Sequence, residues 1–127
     1  MQNKYAAGMF GQKLAEECLT AKKWTIVERN YRTRSGEIDL IAIDGEYLVF
    51  VEVKYRRSLA FGEPPEAVTA AKRETIRSVA ESYLYEMYEK SAEGESAMPA
   101  PNCRFDVISV YDPPGGNRVI EHITDAF

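Results

Sequence analysis

Histidine and cysteine are nearly missing from this chain, which holds one His and two Cys in 127 residues. A lone His122 leaves almost no material for a Ser/His/Asp relay. Cys18 and Cys103 have no metal-site spacing, so a zinc-finger reading has no ligand set. Both thiols are expected to be buried and reduced. No apolar run approaches the length that spans a bilayer, and Met1-Gln2-Asn3-Lys4 has no signal-peptide pattern. The expected location is therefore the cytoplasm, with no membrane contact. An excess of basic charge is missing too: the net charge is −4, which does not advertise nucleic-acid binding. There is no internal repeat, and the length fits one core and a single domain over residues 1–127.

The distribution of charge says more than its sum. Residues 1–78 carry 13 Lys and Arg against 11 Asp and Glu, whereas residues 79–127 carry 3 against 9. The basic residues gather at Lys22, Lys23, Arg29, Arg32 and Arg34, then at Lys54, Arg56 and Arg57, then at Lys72, Arg73 and Arg77. A local basic patch attracts a phosphate backbone even on an acidic protein, with an affinity that falls steeply with salt. For any one of these residues a solvated loop or helix end is an equally ordinary explanation.

Between those patches lie acids inside apolar strands: Gly36-Glu37-Ile38-Asp39-Leu40-Ile41-Ala42, then Phe50-Val51-Glu52-Val53-Lys54. Charge in a buried strand is costly unless paired or metal-bound. Side chains alternate along a strand, so Glu37 and Asp39 share a face, as do Glu52 and Lys54. Asp44-Gly45 is a hairpin-turn signal. With those two residues as the turn, Ile43 pairs with Glu46, Asp39 opposes Phe50 and Glu37 opposes Glu52. All four charged groups then point to one side.

Clustered carboxylates repel one another and resist ionisation. A divalent cation removes that conflict. Mg²⁺ takes oxygen ligands, typically one or two carboxylates, and keeps positions for water and a substrate phosphate. A neighbouring lysine stabilises charge on the phosphate or orients the attacking water. The pattern thus fits metal-assisted phosphodiester hydrolysis, with Asp39 and Glu52 holding Mg²⁺ or Mn²⁺ and Lys54 and Glu37 completing the catalytic set. A salt-bridged hairpin with one exposed face fits the same short pattern.

Five segments point further: Gly36-Glu37-Ile38-Asp39-Leu40-Ile41, Phe50-Val51-Glu52-Val53-Lys54-Tyr55-Arg56, Ala67-Val68-Thr69 with Lys72, Arg104-Phe105-Asp106-Val107, and the closing Ala126-Phe127. On these, spread over nearly the whole chain, it resembles the bacterial YraN-like family. That family's fold is similar to the PD-(D/E)XK nucleases and the Holliday-junction resolvases. The resemblance implies a restriction-endonuclease-like fold and an endonuclease acting on structured or branched DNA. It also implies one departure. The family usually carries a Gly-Glu pair early in the first helix, whose acid would complete the site. Here the pair is Gly11-Gln12, and Glu16, one turn on, is the residue that could stand in.

The apolar periodicity predicts a helix over Tyr5–Lys22 with Ala7, Phe10, Leu14 and Cys18 inward, and a strand over Trp24–Tyr31. The hairpin follows. Loops are expected over 57–65 and 91–101. A helix over Thr69–Glu89 places Ile76, Val79, Ala80, Tyr83, Leu84 and Met87 on one stripe. Strands over Arg104–Tyr111 and Arg118–Ile123 close the order αβββαββ. The architecture expected is α/β, a three-layer sandwich with a central mixed sheet and α2 as the parallel crossover. The start of that helix would lie near the acids, making Lys72 and Arg73, with Arg34, Arg56 and Arg57, the candidate phosphate contacts. Tyr83, Tyr85 and Tyr88 read as packing residues rather than base stackers.

Three functions remain open from the sequence: a metal-dependent nuclease on structured DNA, a nucleic-acid-binding module of the same fold with weak or no catalysis, and a structural or partner-binding protein. Symmetric cleavage of two strands would call for a homodimer.

Overall fold

The computed structural model describes residues 4–58, 68–91 and 102–127. The elements are α1 (Lys4–Ala21), β1 (Thr25–Arg32), β2 (Glu37–Asp44), β3 (Tyr47–Arg56), α2 (Ala70–Ser91), β4 (Asn102–Tyr111) and β5 (Val119–Ile123). The expected loops, with Gly62 and Pro64-Pro65 in the first, fall mostly outside the described residues. One five-stranded sheet runs in the order β1-β2-β3-β4-β5. Strands β3 and β4 are parallel from Tyr47↔Asn102 to Arg56↔Tyr111. The other neighbours are antiparallel. This is the expected α/β architecture with a mixed sheet, consistent with a restriction-endonuclease-like fold.

Two apolar layers explain why β2 and β3 are apolar on both faces. On one side Ala15 and Leu19 of α1 pack on Leu40, Ala42, Val49, Val51, Ile108 and Val110. On the other, Ile76, Val79 and Ala80 of α2 pack on Ile41, Leu48, Phe50 and Val107.

The inward face of α1 differs from the expected one. Among the residues whose burial is described, the buried ones are Gly11, Gln12, Ala15 and Leu19, while Phe10, Leu14 and Cys18 are only half-buried; Ala7 lies outside them. The cause is a close approach: a Cβ on Gly11 would lie 2.6 Å from Tyr55 Cβ. The helix comes down on the sheet at its smallest residue, and its face turns by about one residue, roughly 100°. Met87 also departs from expectation, being 42% exposed, as do Tyr85 and Tyr88. Tyr83 packs as expected, edge-on to Tyr31 and Phe50. Residues 85–90 are all exposed, so the helical stripe continues past the sheet that would cover it.

The buried thiols are a further correction: Cys103 is exposed and Cys18 half-buried, and both are thiols rather than disulfide halves. His122 has a structural task. Its Nε2 lies 2.8 Å from the fully buried Asp106, which also accepts bonds from Arg104 Nε and the Asp125 amide, both at 2.9 Å. Burial pushes the Asp106 carboxyl up, but His122 and Arg104 outweigh it and hold the group below the usual range. No described helix is long and apolar enough to cross a membrane.

Candidate active site

The hairpin register sets the site. The turn is Gly45-Glu46, with Asp44 paired to Tyr47 and Leu40 to Val51. This corrects the expected turn at Asp44-Gly45: each pair is displaced by two positions along β3. Gly45 carries φ 58°, the left-handed value such turns require. Because the displacement is even, the faces are kept while the partners change. One further step in this register sets Asp39, not Glu37, opposite Glu52.

The β2–β3 ladder stops at Leu40↔Val51. The next step is taken by a side chain: the Val53 amide donates to Asp39 Oδ2 at 2.8 Å. Alternation along β2 also breaks here. Ile38 packs on the α2 side with Ile41, whereas Leu40 and Ala42 pack on the α1 side. Across β1 the pairs pass from Arg29↔Leu40 to Tyr31↔Ile38, and Asn30 between them has φ 51°. Strands β1 and β2 are therefore irregular at the same level, and Asp39 is turned toward β3.

There it meets Glu52, which Val49–Val51 alternation places on the α2 side. The Glu52 side chain is only 11% exposed. Burial first, then the Asp39 charge, pushes Glu52 up to about 8. Burial raises Asp39 as well, opposed by bonds from Glu52 and the Val53 amide. Below about pH 8 the two adjoining carboxyls share one proton between them. Lys72 Nζ stands 3.4 Å from Glu52 Oε2 and lowers both carboxyls. Lys54, two residues on in β3, alternates to the side of Glu52 and pairs in register with Ser109.

Two contacts hold α2 over this point. A Cβ on Gly36 would sit 2.5 Å from Thr75 Cγ2, so the helix touches the chain just before β2. Ser78 Oγ lies 3.2 Å from Ser35 Oγ. The Thr69 hydroxyl accepts the Lys72 amide at 3.1 Å and caps the helix.

The remaining candidates are elsewhere. Glu37 does not share the side of Glu52: it pairs with Arg32 and accepts a long 3.5 Å bond from Asn30. Broken alternation at Asp39 is the reason, and this corrects the single-face arrangement. Gln12, buried, exchanges two 2.9 Å bonds with the Asn30 side chain. Glu16 is bonded to Arg29 at 2.8 Å. Arg34 and Arg57 are exposed and Arg56 half-buried. Arg73 donates from Nε to Val68 O at 2.9 Å and lies over the Phe127 ring. Asn30 was missed from sequence, since an Asn within a polar strand carries no signal until its left-handed backbone is seen. The Glu52–Lys72 pairing was missed because it joins residues twenty apart across the crossover.

The donor set suits one hard divalent ion. Among the described residues no group of three or more His, Cys, Asp or Glu forms a metal cage. Two adjoining carboxylates that cannot both ionise comfortably are the number Mg²⁺ typically takes from protein, with water and phosphate filling the remaining positions.

The family described as "Uncharacterised protein family UPF0102" matches residues 11–110. A UPF0102 protein of Rhodococcus opacus is 42% identical over 127 residues, all of both chains. One of Symbiobacterium thermophilum is 46% identical over 120 residues, 94% of each. One of Nocardia farcinica is 45% identical over 125 residues, 98% of this chain and 91% of the relative.

Proposed function

The chain belongs to the UPF0102 family, and from its buried carboxylate pair we propose that it is a metal-dependent endonuclease hydrolysing phosphodiester bonds in structured or branched DNA. The observation that carries the proposal is the mutual contact of Asp39 and Glu52 where the β2–β3 ladder ends. Asp39 and Glu52 would hold Mg²⁺ or Mn²⁺, which supplies Lewis-acid activation of water and neutralises phosphate charge. Lys54, on the side of Glu52, stabilises negative charge developing on the scissile phosphate. Arg34, Arg56, Arg57 and Arg73 position the DNA backbone. Cleavage of paired strands by one site per chain implies a homodimer on branched substrates.

A specific observation favours a second reading, a binding module of the same fold with little catalysis. The residue at the family's usual acidic position, Gln12, is buried and spends its amide on Asn30, and Glu16 is committed to Arg29. A cleavage screen of linear, flapped and four-way DNA with Mg²⁺ or Mn²⁺ separates the two, with Asp39→Ala as control. Cleavage lost in Asp39→Ala supports the nuclease. Salt-dependent binding without cleavage selects the binding module. No salt-dependent binding to any form removes both and leaves the partner-binding protein.

A further inference from the structure

The sequence placed Lys72 near the acids as a candidate phosphate contact, and the structure sets it directly against one of them. Its ammonium is at the carboxylate pair, 3.4 Å from Glu52 Oε2. The backbone beneath it is fixed. The Lys72 amide is bound by the Thr69 hydroxyl, and the same helix touches the chain before β2 through Thr75 and Ser78. The side chain is not fixed in the same way: it is 46% exposed, whereas Glu52 is 11% exposed. A long flexible stem on a rigid, capped first turn can leave the carboxylate without disturbing the fold.

We propose that Lys72 is a tethered counter-cation of the site, occupying Glu52 until a divalent metal takes the carboxylate pair, and then released toward the substrate phosphate. The inference rests on the nuclease reading above for its metal and goes beyond it in assigning Lys72 to the reaction centre. A divalent ion held by the carboxylate pair would repel an ammonium lying 3.4 Å from Glu52 Oε2, which favours release of the ammonium. Released, it stands beside the site on the first turn of α2, a second positive group next to Lys54 for a phosphate bound there.

The test is Mn²⁺ titration of the full chain by calorimetry or water relaxation, comparing wild type, Lys72→Met, Lys90→Met and Asp39→Asn. Lys90→Met removes the same charge from the same helix, from a 3.4 Å pair with Glu86 at its far end. Lys72→Met should bind Mn²⁺ roughly 2- to 10-fold more tightly, the range expected for losing one half-exposed competing ion pair. Lys90→Met should match wild type. In a parallel experiment, an acylating amine reagent read by mass spectrometry should label Lys72 faster with Mn²⁺ than without, while Lys90 labelling stays constant. Equal tightening in both lysine variants would show only a bulk charge effect and overturn the proposal. Weaker binding in Lys72→Met would overturn it by making Lys72 a support for Glu52. Binding by wild type that is unaffected by Asp39→Asn refutes the metal site of the nuclease reading and Lys72 as its competitor together. Absence of binding in wild type, with binding in Lys72→Met that is lost when Asp39→Asn is added to it, would support it, and absence in both overturns it. Lys72→Gln, of similar length and uncharged, repeats the comparison should Lys72→Met prove poorly folded.

Discussion

Replacing Glu52 by Gln should change how the stability of this protein depends on pH, and in an unusual direction. Most carboxylates in folded proteins are stabilised in their charged form, so acid unfolds the protein. Glu52 is the reverse: burial and the Asp39 charge push it up to about 8 from 4.5. The folded state holds this proton more tightly than the unfolded chain. The stabilisation is fully present below about pH 4.5 and is lost as the pH rises through about 8. Full conversion of that shift would be about 5 kcal/mol. That shift already contains the compensating charge of Lys72, 3.4 Å away; relaxation and water entry when the pair ionises leave about 2–4 kcal/mol of penalty at alkaline pH. Glutamine keeps the shape, donates to Asp39 in place of the shared proton, and never ionises. In metal-free buffer with chelator, urea unfolding of Glu52→Gln should be within about 1 kcal/mol of wild type near pH 5. Near pH 9 the variant should be the more stable by about 2–4 kcal/mol, a Tm difference of roughly 5–15 °C for a domain of this size. Groups away from the pair are common to both proteins, so the difference between the profiles reports the coupled Asp39–Glu52 pair. Parallel profiles, or a variant less stable than wild type near pH 9, would refute the shared proton.

The reciprocal amide pair makes Gln12→Glu a stability test: one of its two bonds to Asn30 becomes a repulsion between oxygens, costing about 1–3 kcal/mol at neutral pH by urea unfolding. Gly36→Ala should cost about 1–3 kcal/mol, because its methyl group meets Thr75 at 2.5 Å, whereas Gly45→Ala meets open space and costs about 1 kcal/mol through its left-handed backbone alone; thermal melts of the pair rank them. Lys54→Ala should abolish DNA cleavage and leave affinity nearly intact, measured by single-turnover cleavage beside an equilibrium binding curve. Arg57→Ala with Arg73→Ala should instead weaken binding and reduce its log–log salt slope by roughly one to two.

Local pattern carried most of the elements. Ile76, Val79 and Ala80 recur at helical spacing, and they are the buried stripe of α2. The apolar runs around Leu40 and Val51 announced strands covered on both faces, and two helices cover them. The turn was displaced because Asp-Gly and Gly-Glu stand side by side at residues 44–46. A single glycine serves either turn, and strand pairing beyond the turn decides between them. Met87 and Tyr85 lay beyond reach for another reason. Periodicity says which way a side chain points, but not whether a neighbour is there to cover it.

The sequence by itself determined the order of elements, the mixed sheet and the presence of Asp39, Glu52 and Lys54 in adjacent strands, because alternation and hydrophobic burial act over a few residues and leave a local record. The tertiary structure alone decided which charged groups meet. Asp39 faces Glu52 because the ladder ends at Leu40↔Val51 and a carboxylate takes the Val53 amide. Glu37 is turned away, Gln12 is bound to Asn30, and Lys72 reaches Glu52 from across the crossover. Each of these depends on a register, a bulge or a helix contact between distant segments. No spacing along the chain encodes the few ångströms that separate a salt bridge from two solvated charges.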